Sequence, residues 1–194
     1  MSDSEGNSLN EEQIAEQIQA LLAQLQANPF DFAVYVELIN LHRAAGDLDE
    51  TRAYRQQVHG LFCLPEQMWL EWINDEINLA GQDSAKVAEV VALFETALVD
   101  YHYRKVYKRY MRFLIERKLP DQAEVFERAL RIWGLDPSKG DALWQLYAEY
   151  EKSDERKVAT IARRRCALPL EGSKAVFDEY AKSETDAAKL ARVQ

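Results

Sequence analysis

An aromatic pair three residues apart recurs along this chain at a nearly fixed interval, and this narrows the available folds more than any other feature. Trp69 and Trp72 form one pair. Tyr107 and Tyr110 repeat it 38 residues on, and Trp144 and Tyr147 repeat it 37 residues after that. Tyr35 and Leu38 stand 34 residues upstream of Trp69, and Phe177 and Tyr180 stand 33 residues downstream of Trp144. A spacing of three places both members on one face of a helix. Periods of this size mark stacked units, none of which can bury its apolar face alone. The expectation is an all-α fold, an α-α superhelix (solenoid) of helix-turn-helix repeats. Its extended surface suits binding better than chemistry.

The helix breakers follow the same order. Pro29, Pro65, Pro137 and Pro169 each precede a helix that carries one of the pairs. Proline is harmless near a helix start because its fixed φ suits the first turn. Gly46 and Gly81 fall where the first helix of a unit (helix A) should turn into the second (helix B), and Pro120 serves that turn in a third unit. Glycine there can take the left-handed cap conformation. Helix B repeats as well: Leu93-Phe94-Glu95-Thr96-Ala97-Leu98 matches Val125-Phe126-Glu127-Arg128-Ala129-Leu130. Ala97 and Ala129 are small where two helices would cross, and Cys166 fills that slot one unit later, as a small residue that buries well. No segment alternates with a period of two, so no strand is expected.

At the start, residues 1–9 are polar and expected to be disordered. Ser8 and Glu11 fit a capping box for a leading helix over 10–28, whose Ile14, Ile18, Leu21, Leu22 and Leu25 share a face. The repeat array then covers 29–194, with units at about 29–64, 65–102, 103–136 and 137–168 and a partial unit at 169–194. The last register has two solutions. Phe177 and Tyr180 continue the aromatic pairs, while Glu179-Tyr180 also resembles Glu149-Tyr150. The chain stops where a helix B should begin, which reads as a piece of a longer array.

Composition excludes several functions. Hydrophobic residues make up 47%, enough for a core. The net charge of −9 opposes general nucleic-acid binding, which needs a basic surface. Two cysteines, Cys63 and Cys166, make no disulfide framework and suit a reducing compartment. There is no signal peptide and no apolar run long enough to cross a bilayer, so no membrane is expected. His59 and Cys63 are spaced like two metal ligands, but a structural zinc needs four. No phosphate loop, nucleophile elbow or zinc-protease motif is present. The expectation is no enzyme, no metal and no cofactor.

The candidate binding feature is basic. Lys105, Lys108, Arg109 and Arg112 follow helical spacing, with Val106, Tyr107, Tyr110, Phe113 and Leu114 on the other side. Such a stripe can meet an acidic protein segment or RNA phosphates, or be neutralised by acids on the next helix. A second run, Arg163-Arg164-Arg165, spans about 300° of a helix and cannot share one face.

Helix A with W-x-x-[YW] and an acid seven residues after the tryptophan, followed by helix B with F-E-x-A-L, resembles the half-a-TPR (HAT) repeat. The acids are Glu76, Glu151 and Glu184, whereas His42 and Leu114 stand there in the units of Tyr35 and Tyr107. The resemblance assigns Tyr35, Leu38, Trp69, Trp72, Glu76, Phe94, Ala97, Tyr107, Tyr110, Phe126, Ala129, Trp144, Tyr147, Glu151, Phe177 and Tyr180 to the repeat core. Residues 20–80, above all Leu64-Pro65-Glu66-Gln67-Met68-Trp69-Leu70-Glu71-Trp72, are similar to one HAT family. It is the family of the squamous cell carcinoma antigen recognised by T cells, the U4/U6 snRNP recycling factors of animals and plants. The RNA-recognition motifs of that family have no counterpart in these residues. The resemblance implies a nuclear, non-enzymatic scaffold of pre-mRNA splicing that binds proteins of the snRNP machinery. It leaves room for an auxiliary contact with U4/U6 snRNA and for a homodimer through the array. The alternatives are a HAT scaffold of 3′-end cleavage or pre-rRNA processing, and a TPR-like co-chaperone module that holds peptide tails.

Overall fold

The computed structural model describes residues 11–171 and 173–183, and these form ten helices and no strand. Ser8 and Glu184 lie outside the described residues. The chain divides into two compact units, one ending at Pro65 and one starting at Glu66.

The first unit holds α1 (Glu11–Ala27), α2 (Phe32–Ala45) and α3 (Leu48–Leu61). α1 packs on α2. Leu21 is its buried anchor, whereas Ile14, Ile18, Leu22 and Leu25 are half-buried. Asp31 opens α2, its carboxylate accepting from the backbone N–H groups of Ala33 and Val34. Gly46 closes α2 at a φ of 76°, where only glycine is free of Cβ strain. Asp47 then caps α3 by accepting from Glu50 N–H. Val34, Tyr35, Leu38 and Ile39 of α2 meet Tyr54 and Val58 of α3 in the core. His42 is buried there too, stacked on Tyr54 with ring centroids 5.3 Å apart. Its Nδ1 lies 3.4 Å from an Asp47 carboxylate oxygen. The slot that holds an acid in other repeats is thus filled by an imidazole, and the acid sits at the helix cap.

The second unit contains α4 (Glu66–Ala80), α5 (Ser84–Asp100), α6 (Arg104–Glu116), α7 (Ala123–Trp133), α8 (Asp141–Tyr150), α9 (Glu155–Cys166) and α10 (Ser173–Ser183). The A helices α4, α6 and α8 contact one another in order, and each packs on the B helix that follows it. Asp83 and Asp154 cap α5 and α9 as Asp47 caps α3. Within this unit the stacking is that of an α-α solenoid.

Aromatic rings join successive repeats. Trp69 and Trp72 stack in parallel, centroids 5.3 Å apart, and the Trp69 indole N–H donates to Asp100 at 3.0 Å. Phe94 of α5 stacks on Tyr110 of the next A helix at 4.4 Å. Phe126 of α7 stacks on Tyr147 and Tyr150 of α8 at 5.3 and 4.4 Å. Ala97 and Ala129 are fully buried, and Cys166 is buried in the equivalent place on α9. Burying such rings supplies most of the drive to stack, about 3–5 kcal/mol per ring judged by truncation. In α10, Tyr180 is buried and Phe177 half-buried.

The α6–α7 turn departs from its neighbours. Lys118 and Asp121, neither of them glycine, hold φ values of 51° and 59°. No side chain of the turn caps α7. Tyr150 of α8 replaces the cap: its hydroxyl accepts from Gln122 N–H and donates to Leu119 C=O, both at 2.9 Å.

Candidate interaction surface

α6 begins directly after the loop Tyr101-His102-Tyr103. One side of it is apolar and buried: Val106, Tyr107, Tyr110, Met111, Phe113 and Leu114. The opposite side is basic, and the structure divides it into two rows. In the row facing α4, Lys105 pairs through Nζ with Glu66 at 3.0 Å, and its backbone N–H donates to the same carboxylate. Arg109 donates from Nε to Asn74 at 2.9 Å and from Nη1 to Glu116 at 3.2 Å. In the other row, Lys108 and Arg112 make no hydrogen bond or ion pair with a described residue. Arg104, four residues before Lys108, is in the same position. The single stripe expected from spacing is therefore two, one neutralised and one open. Arg104 belongs to the open one and was missed because it lies one residue outside the run Lys105–Arg112. What separates the rows is Glu66 and Asn74 of α4, which spacing along α6 does not reveal, together with Glu116 at the end of α6.

The loop before α6 is held firmly. Trp133 of α7 donates its indole N–H to His102 C=O at 2.8 Å. Tyr103 N–H donates to Tyr101 C=O at 2.7 Å. The rings of Tyr101 and Tyr103 lie 5.0 Å apart, tilted by 48°. Tyr101 is 62% exposed.

On the B helices the charges pair from one repeat to the next. Arg128 Nη2 lies 2.7 Å from both carboxylate oxygens of Glu95. Arg164 grips Glu127, and Arg165 grips Asp141 with contacts of 2.5 and 2.7 Å. Two members of the Arg163–Arg165 run are thus engaged by different acids on different elements. Burial, and then the Glu95 carboxylate, push the Tyr110 phenol well up. Burial and then Glu127 push the Tyr147 phenol up to about 12.

A model of the PRP39 N-terminal HAT repeat matches residues 19–182. The chain belongs to this HAT-repeat family. It is 38% identical over 174 residues to the spliceosome associated factor 3, U4/U6 recycling protein, of Mus musculus. The Homo sapiens protein of the same description is 37% identical over 174 residues, and that of Danio rerio 31% over 192. Each match covers 84% of this chain, which spans only 18% of the mouse and human proteins and 20% of the fish protein.

The HAT positions named from the sequence fall as follows. Tyr35, Leu38, Trp69, Trp72, Phe94, Ala97, Tyr107, Tyr110, Phe126, Ala129, Trp144, Tyr147 and Tyr180 are buried. Phe177 and Glu76 are half-buried. Glu151 is buried, and Lys157 reaches it at 2.8 Å. This ion pair borders a cleft of about 570 Å³ between the α6–α7 and α8–α9 turns. Of the polar groups that line it, Tyr150 is engaged with the α6–α7 turn and Glu151 with Lys157. Among the described residues, no cluster of three His, Cys, Asp or Glu side chains is placed to hold a metal ion. None of the described helices is long and apolar enough to cross a membrane.

Proposed function

We propose that this chain is the helical-repeat scaffold of a U4/U6 snRNP recycling factor, acting in the nucleus in pre-mRNA splicing and without catalysis of its own. The likeness to the U4/U6 recycling proteins carries this reading. The architecture agrees with it: side chains that recur from repeat to repeat are engaged in packing and in ties between helices, which leaves the outer faces to recognise partners. A partner spread over several repeats would gain its affinity at a few anchor residues, with the remaining contacts supplying shape. Proteins of the snRNP machinery are the expected partners, and self-association through the array belongs to the same reading.

The test is retrieval of partners from nuclear extract by the immobilised chain, with and without ribonuclease. Recovery of snRNP proteins that survives ribonuclease supports the scaffold. Recovery of cleavage or pre-ribosomal factors instead, or of chaperones bound through peptide tails, would replace it. Sedimentation of the purified chain across a concentration series reads the self-association.

A further inference from the structure

We propose that the Tyr101–Tyr103 loop and the Arg104, Lys108 and Arg112 row together form a docking track for single-stranded RNA. The three cations sit four residues apart, so the row places a positive charge about every 6 Å along the helix, over about 12 Å in all. The acids that would neutralise it are already engaged: Glu66 holds Lys105 and Glu116 holds Arg109. The chain carries a net charge of −9, but at physiological salt charges beyond about 8–10 Å are largely screened. A strand lying on the row experiences mainly the row.

The loop adds what an ion-pairing surface lacks. Tyr101 offers an exposed ring beside that of Tyr103, one residue before the row begins. The Trp133 and Tyr103 backbone bonds fix the loop before any ligand arrives, so little ordering cost remains. Aromatic rings next to a line of free cations are the means by which sequence-tolerant binders hold unpaired bases and their phosphates. An acidic peptide would use the cations but has no need of the rings.

The purified full chain, titrated into a fluorescein-labelled oligouridylate, tests this by anisotropy over a salt series. Binding at about 50 mM salt is expected, with log affinity falling against log salt with a slope near −2, about −0.7 for each of three phosphates. Arg104→Gln, Lys108→Gln and Arg112→Gln should each lower the slope by about 0.7. Lys105→Gln and Arg109→Gln, in the neutralised row, should leave it unchanged. Tyr101→Ala should weaken binding about fivefold or more without altering the slope. Tyr101, Lys105 and Arg112 are exposed, and Arg104, Lys108 and Arg109 are half-buried, so thermal melts check that each variant folds. Absence of binding at low salt overturns the proposal, as does indifference of slope and affinity to the open-row variants. A heptaglutamate peptide that binds the row more tightly than the RNA would assign it to an acidic protein segment instead. The assay needs no snRNP component, so its failure would leave the scaffold reading standing.

Discussion

Arg164 closes on Glu127 across a full repeat, with Nη1 2.5 Å from one carboxylate oxygen and Nη2 2.8 Å from the other. Its guanidinium also lies over the Trp144 ring, 5.0 Å from the centroid. The pair ties α7 to α9 and leans on the α8 ring between them, and Glu95 with Arg128 does the same for α5 and α7, over Tyr107. Within the second unit, neighbouring repeats are therefore held by charge on the B side and by stacked rings in the core.

The first consequence is acid sensitivity. The Arg164 guanidinium holds the Glu127 carboxyl below its ordinary value of 4.5, against an opposing push from burial. A depressed carboxyl contributes stability above its unfolded pKa and loses it as pH falls through the folded one. The contribution should be complete above about pH 5 and fade below 4.5. Both partners are more than a third exposed, so solvent screening limits it to about 0.5–1 kcal/mol. Urea melts of the wild type and Arg164→Met at pH 7 and pH 3.5 measure it. The variant should be the less stable at pH 7, with the gap narrowing in acid. A gap that widened in acid would contradict the assignment.

The opposite limb concerns Tyr147, whose phenol is raised to about 12 by burial and the Glu127 carboxylate. A raised phenol contributes stability below the ordinary value of 10 and loses it as pH rises through the folded pKa. Stability should therefore decline between pH 10 and about 12. Tyr147→Phe should flatten that decline. The phenolate absorbance of the native chain should lag behind that of the unfolded chain in the same interval.

Trp69 is the largest fully buried side chain among the described residues. It is fully buried, stacked on Trp72 and bonded to Asp100. Trp69→Ala should cost about 3–5 kcal/mol. Trp69→Phe keeps a ring but loses the bond to Asp100, and should cost roughly 1 kcal/mol for the bond alone beyond the smaller ring. Denaturant unfolding of both reads the difference. An alanine variant that melts with the wild type would show that the stacking of α4 does not depend on this ring.

What the sequence made legible was the repeat, because rings such as Trp69, Tyr107 and Trp144 recur and because a helix must bury a stripe of one period. The helix-opening aspartates Asp47, Asp83 and Asp154 are equally legible, each a short acid set directly before a helical run. Three-dimensional pairing was not legible. Lys105 and Arg109 look equivalent to Lys108 and Arg112 in spacing, and the approach of Glu66 and Asn74 from α4, with Glu116 of α6, distinguishes them. The role of Tyr150 in holding the α6–α7 turn depends on a helix that arrives later in the chain. No local pattern encodes such partners.

The two free cysteines should differ sharply toward a thiol reagent. Cys63 is exposed, whereas Cys166 is buried at a helix crossing and burial pushes its thiol up. The thiolate is the reactive form, so Cys63 should be modified first. A native titration should show one fast equivalent, and an unfolded one should show two. Cys166→Ala should be tolerated, while Cys166→Leu should overpack the crossing and cost about 1–3 kcal/mol. Equal rates for the two native thiols would mean that α9 does not hold Cys166 inside.

The turns between A and B helices offer a test by opposite signs. Gly81 holds a φ of 51°, and a Cβ added there would meet nothing within 4 Å. Gly81→Ala should therefore cost only the conformational strain of a left-handed L-residue, about 1 kcal/mol. Lys118 holds the same φ of 51° one repeat later, as an exposed residue that already bears this strain. Lys118→Gly should relieve it. The gain is reduced by the greater freedom of glycine in the unfolded chain, leaving up to about 1 kcal/mol of added stability. Tyr150 continues to hold the turn in that variant, since its bonds go to the backbone of Leu119 and Gln122. Tyr150→Phe removes both bonds and should destabilise the chain in either background. Urea melts of the four variants decide the matter. A destabilising Lys118→Gly together with a neutral Gly81→Ala would show that these two turns are not set by the left-handed conformation.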